Sequence, residues 1–233
     1  MSFGSWHDFY YGAWQHPFAL QVAPFAFLVW RAVAPPPGPG ARPEAAPFVR
    51  LWCTLFALET LADPVVAGPV AEALGGGGVG TALGLLFVLV GDFRIWWLVF
   101  GLGAPRAGLL PALAATAAVP VLAWLATQAL GAAFGPLPAQ ALWLAHESAF
   151  LALAAVIARR QRDSFARALL AYAVVYYALW VASDVLILAG VDAGWLIRCV
   201  PNQLYYGLTV PFVWWRFFAP SYASSSTSTQ PSR

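Results

Sequence analysis

The stretch ARALLAYAVVYYALWVASDVLILA, from Ala166 to Ala189, decides the fold. Its only charged residues are Arg167 near the start and Asp184 near the end, and it holds neither glycine nor proline. At about 1.5 Å of rise per residue a helix of this length reaches roughly 36 Å, enough to cross a hydrocarbon core about 30 Å thick. A water-soluble helix needs a polar face, and this stretch has none.

Working outward, comparable runs occupy Pro17 to Ala34, Pro47 to Val66, Thr81 to Leu102, Leu109 to Leu130, Ala139 to Ala158 and Ala193 to Phe217. The chain is 61% hydrophobic and 9% charged, whereas a soluble domain carries about a quarter charged residues. The expectation is an all-α, polytopic membrane protein: one bundle of about seven transmembrane helices over 17–218, preceded by an interfacial segment (1–16) and followed by a disordered polar tail (219–233). The proline-rich connection PPPGPGARPEAAP and the GGGGVG run before the third span both read as loops, because proline removes a donor and glycine disfavours helix. The segment SWHDFYYGAWQHP is rich in Trp and Tyr, so it reads as a headgroup-level anchor, and neither His7 nor His16 is given a role.

Arginine placement sets the orientation. Arg31, Arg42, Arg50, Arg106, Arg159, Arg160, Arg162, Arg167, Arg216 and Arg233 all fall in connections or ends on one side, and the opposite loops hold Asp8, Glu72 and Asp192 but no arginine. Cytoplasmic loops accumulate basic residues, so the N-terminus is expected outside, the C-terminus in the cytoplasm, and the protein in the cytoplasmic (plasma) membrane.

Composition removes several functions. All twelve basic residues are arginine, so no lysine exists to form a Schiff base, and a retinal-type seven-helix protein is excluded. No HExxH or paired-histidine spacing supports a metal site, no GxSxG supports serine hydrolysis, and no basic face supports nucleic-acid binding. No cofactor is expected. The partners expected are the bilayer and a small-molecule or lipid ligand.

Ionisable groups inside the spans are costly facing lipid and should face the bundle interior. Glu59 and Asp63 are four residues apart on one helix face, and Asp92 lies deeper, with Arg94 beyond it. His146 and Glu147 lie roughly 10 Å below the outer surface at the same rise per residue. Asp184, Arg198, Asn202 and Tyr205 complete a layer in the outer half of the membrane, with Pro64 and Pro201 beside it. Arg198 is the basic residue of that layer and should pair with Asp63, Glu147 or Asp184. The predicted ligand site is therefore Glu59, Asp63, Asp92, His146, Glu147, Asp184, Arg198, Asn202 and Tyr205, with Trp180 and Tyr206 as walls. It forms an outward-facing cavity for a small solute, ion or lipid headgroup in a transporter or receptor-like protein.

Two alternatives accompany this reading. VGDFRIWW around Asp92 and ASDVLIL around Asp184 resemble the GD and SD helix motifs of the lysoplasmalogenase family, although that family's early lysine-proline pair is absent. The resemblance implies a membrane hydrolase of lipid substrates with Asp92 and Asp184 as acid and base. A structural subunit of a membrane complex is the other alternative, favoured if the polar layer is wholly self-paired.

Overall fold

The computed structural model describes residues 5–12, 17–34, 42–75 and 77–218, and these are helical with no strand among them. The helices are α1 (Trp6–Tyr10), α2 (Pro17–Val33), α3 (Ala46–Val65), α4 (Ala71–Ala73), α5 (Gly77–Gly101), α6 (Pro105–Phe134), α7 (Ala139–Arg160), α8 (Ser164–Leu188), α9 (Ala193–Asn202) and α10 (Thr209–Phe218). A π-helical turn, Val66–Val70, joins α3 to α4, and another, Gln203–Leu208, joins α9 to α10. Five segments are long and apolar enough to cross a membrane: Ala46–Ala73, Ala82–Gly101, Pro105–Phe134, Gln140–Arg160 and Ser164–Leu188. Ala19–Val33 is a shorter apolar helix. His16, residues 35–41 of the proline-rich connection and the tail 219–233 lie outside the described residues.

Consecutive helices α5 to α9 pack as neighbours, and α2, α3 and α10 pack together and close the bundle. Helix α6 illustrates why its sequence packs this way. Its buried positions are Gly108, Ala112, Thr116, Val119 and Ala123, a narrow stripe of mostly small residues at helical spacing, while Leu110, Val121, Trp124 and Phe134 point outward. Small residues let backbones approach where lipid supplies no hydrophobic drive for association. At Gly108 a Cβ would collide with the backbone of Gly101, so α5 and α6 touch through glycine.

The glycine run departs from expectation. Gly75 adopts φ +107° and ends α4, but α5 already begins at Gly77, so the second half of the run is helical. Each glycine costs about 1 kcal/mol relative to alanine in a helix, yet backbone groups near lipid have few partners outside a helix. Pro64 and Pro201 lie inside their helices, one residue before each α-helical stretch ends, and each is followed two residues later by a π turn. Pro64 lacks the N–H that would bond the Thr60 carbonyl, and Gln21 Nε2 from α2 donates to that carbonyl instead at 3.0 Å.

The arginine-rich end is tied together. Arg42 pairs with Asp163, whose other oxygen caps α8 by accepting from the Ala166 N–H at 2.7 Å. Arg31 lies over the Trp214 ring at 4.1 Å and Arg50 over Phe218 at 5.5 Å.

Candidate functional site

The opposite end carries a cavity of about 260 Å³ between α5, α7, α8, α9 and the second π turn, with α1 across its mouth. Ser5 caps the start of α1, its hydroxyl accepting from the Asp8 N–H at 3.1 Å. Its free N-terminal N–H groups, those of Trp6 and His7, donate to the Asp192 carboxylate at 2.7 and 3.3 Å. An anion at a helix start is a favourable partner. His7 and Tyr10 rings pack on Trp195 at 4.9 and 5.2 Å between centroids, and this holds Tyr10 over the cavity.

Arg198 stands at the cavity wall, 11% exposed. Its Nη2 donates to Glu147 Oε1 of α7 at 3.0 Å, its Nη1 donates to Asp184 of α8, and its Nε donates to the Tyr10 phenol oxygen at 3.3 Å. One guanidinium thus joins α1, α7, α8 and α9. The same Tyr10 oxygen accepts from Asn202 Nδ2 at 3.1 Å, and Asn202 Oδ1 accepts from Trp180 Nε1 at 2.9 Å.

Next to this triad His146 Nε2 lies 3.0 Å from Asp92 Oδ2, and the Tyr177 hydroxyl donates to the other Asp92 oxygen. Asp92 is wholly buried on α5 and both its oxygens are engaged. Tyr205 is packed against Trp180, with ring centroids 5.1 Å apart, and its ring lies so close to Gly91 that any Cβ there would overlap it.

A second polar cluster occupies the far side of Tyr205. The buried Arg94 lies 3.6 Å from Glu59 Oε2, donates to Thr60 Oγ1 at 3.3 Å and to the Tyr205 carbonyl, and stands 4.4 Å over the Tyr205 ring. Asp63 is within electrostatic range of the same guanidinium. The Leu204 carbonyl in this π turn accepts from Tyr172 at 2.7 Å and the Tyr205 carbonyl from Thr209 at 2.9 Å, so side chains serve carbonyls where the helical ladder changes step.

Of the residues expected at a shared site, His146, Glu147, Arg198, Asn202 and Tyr205 line the cavity. Asp92 and Asp184 stand behind that wall, each bonded to a lining residue, while Glu59 pairs with Arg94 and Asp63 feels that guanidinium's charge without lining the cavity. Sequence reasoning passed over Tyr10, Tyr177, Trp143 and Trp195 as site residues; their only signal was aromatic density near one end. Among the described residues no three His, Cys, Asp or Glu side chains cluster so as to hold a metal ion.

The chain matches no protein-family model, no curated protein and no solved structure. The functional reading therefore rests on the geometry of the cavity. Its size is below the 300–1,000 Å³ typical of pockets for drug-sized ligands, so it suits a ligand of a few heavy atoms or one end of a longer molecule.

Proposed function

We propose that this protein spans a membrane seven times, with its N-terminus outside, and binds a small solute or lipid headgroup in the cavity beneath α1, as the recognition step of a transporter or receptor. The two spans beyond the five long apolar helices are α2 and the continuous run α9, π turn and α10. Together they complete an even alternation in which the arginine-rich connections share one side. The single observation that carries the binding reading is the Arg198 triad at a cavity wall: charged groups from three helices meet beside open space and not in a dry core. Glu147 remains incompletely bonded there, since its Oε2 has no partner among the described residues.

Binding is preferred over hydrolysis because both aspartates of the hydrolytic alternative are tied to other side chains and lie behind the cavity wall. Asp92 holds His146 and Tyr177, Asp184 holds Arg198, and neither lines the cavity. The purified full chain in nanodiscs should be exposed to tetramethylammonium, choline, acetate, inorganic phosphate, glycerol and lysophosphatidylcholine, with tryptophan emission and thermal stability as readouts. At least one compound should shift both, and the shift should vanish in Trp195→Leu but persist in Leu122→Ala on the lipid-facing side of α6. If no compound acts, or Trp195→Leu leaves the response unchanged, the cavity is not a binding site.

A further inference from the structure

The cavity wall is unusually specific in chemistry for so small a space. Its formal charge is negative: two carboxylates, Glu147 and Asp184, share one guanidinium, so one negative charge is left over, and Asp92 lies directly behind His146. Arg198 already serves two carboxylates, and three of its five N–H groups donate, to Tyr10, Asp184 and Glu147, so its positive charge is more than matched before any ligand arrives. Among the described residues, the buried polar atoms still without a partner at this site are two carboxylate oxygens, Oε2 of Glu147 (a residue only 4% exposed) and Oδ2 of Asp184 behind it, and one amide donor, Nε2 of Gln140. The same cavity is lined by aromatic rings from five elements: Tyr10 of α1, Trp143 of α7, Trp180 of α8, Trp195 of α9 and Tyr206 of the π turn.

Resting on the binding function above, we propose that the ligand is an organic ammonium, a quaternary or alkylated amine whose charge faces Glu147 and whose carbon groups lie among the Trp143, Trp180 and Trp195 rings. Ring faces carry negative quadrupole density, and a weakly hydrated ammonium over two or more of them is attracted without hydrogen bonds. A hard divalent cation would need six or more oxygen ligands, and the site offers two unengaged carboxylate oxygens, Glu147 Oε2 and Asp184 Oδ2, in an aromatic setting. An anion would meet uncompensated negative charge with no free cation. The ammonium could arrive as a free solute or as the headgroup of a lipid sliding in from the bilayer, since both present the same chemistry.

The test compares choline with 3,3-dimethyl-1-butanol, its neutral isostere, on the full chain in nanodiscs, by isothermal titration and tryptophan quenching. Choline and tetramethylammonium should bind and compete with each other, and the neutral isostere should bind at least tenfold more weakly. Glu147→Gln should weaken choline tenfold or more; because that change also strips Arg198 of a partner, Trp195→Leu and the isostere comparison on the unaltered protein provide independent readings. If lysophosphatidylcholine binds and is displaced by tetramethylammonium while free choline is tenfold weaker, the source is a lipid headgroup and ammonium recognition stands. The inference is overturned if the isostere matches choline, or if acetate or phosphate binds and no ammonium does; either result leaves the cavity as a binding site. A panel in which nothing binds removes the binding function itself.

Discussion

Tyr10 and Arg198 meet at the cavity mouth, the phenol oxygen accepting from the guanidinium Nε at 3.3 Å, and this contact fastens α1 to α9. Tyr10→Phe removes the acceptor for both Arg198 and Asn202. A hydrogen bond to a charged partner contributes about 1.5–3 kcal/mol at most, and partial exposure reduces that, so the docking of α1 should weaken by about 1 kcal/mol. Hydrogen exchange of residues 5–12 should then accelerate about fivefold while the core of α8 is unchanged. Equal exchange in both proteins would show that the Asp192 contacts alone hold α1 in place.

Arg198 and its two carboxylates should behave as a unit. Removing one member of a buried pair costs about 3–5 kcal/mol because a charge is left uncompensated, whereas replacing the whole group with neutral residues can cost far less. Arg198→Met should therefore lower the melting temperature more than the triple change Arg198→Met, Glu147→Gln, Asp184→Asn. Additive losses across the series would mean that the three charges do not depend on one another.

Gly91 is set by Tyr205. Any side chain at Gly91 overlaps the phenol ring, and overpacking of this sort costs about 1–3 kcal/mol when the neighbour must move. Gly91→Ala should destabilise by that amount and displace Tyr205 from Trp180, readable as a change in tryptophan emission. Adding Tyr205→Leu should recover part of the loss. A fully stable Gly91→Ala protein with unchanged emission would mean that α5 and the π turn separate at little cost.

The five long apolar helices were legible because a bilayer imposes a minimum apolar length that few soluble helices meet, and α8 begins and ends within two residues of its expected bounds. The Arg198 pairings were legible for a related reason: a guanidinium among apolar spans needs a carboxylate, and of the three expected candidates, Asp63, Glu147 and Asp184, the last two pair with it. Arg94 was seen only as lying beyond Asp92, and its partner Glu59 could not be named, because partnership depends on how far each helix is rotated about its axis. The same rotation brings His146 and Tyr177 onto Asp92 from two other helices. Tyr10 was hidden by a correct generalisation, since aromatic residues near a span usually mark the headgroup level and not a site. The π turns after Pro64 and Pro201 left no mark beyond the prolines themselves.

Gln21 answers for Pro64. Its amide supplies the donor that the proline denies the Thr60 carbonyl, and Thr60 in turn receives Arg94 through its hydroxyl. Gln21→Leu should leave the carbonyl unsatisfied in apolar surroundings, at about 1–3 kcal/mol. Restoring an ordinary helix with Pro64→Ala in the same protein should recover most of that loss, because the residue-64 N–H would again bond Thr60. If Pro64→Ala gives no rescue, another donor serves the carbonyl.

The orientation can be tested where the two ends differ most. The end with Arg42, Asp163 and Arg160 is expected in the cytoplasm, and the end with Glu72, Asp192 and α1 outside, because short cytoplasmic connections retain arginine and translocated ones do not. Both Arg160 and Glu72 are exposed, so a cysteine at either position is open to reagent, while the native Cys53 and Cys199 are buried and can be replaced by alanine. In intact cells an impermeant maleimide should label Glu72→Cys and spare Arg160→Cys, and permeabilised cells should label both. A choline-responsive cavity under α1 would then face the medium, and α1 would control access from that side. The reverse labelling pattern would place the cavity toward the cytoplasm and make external solutes unreachable ligands. The chemistry of the wall would be unchanged, but its ammonium would have to come from inside the cell or from the inner leaflet.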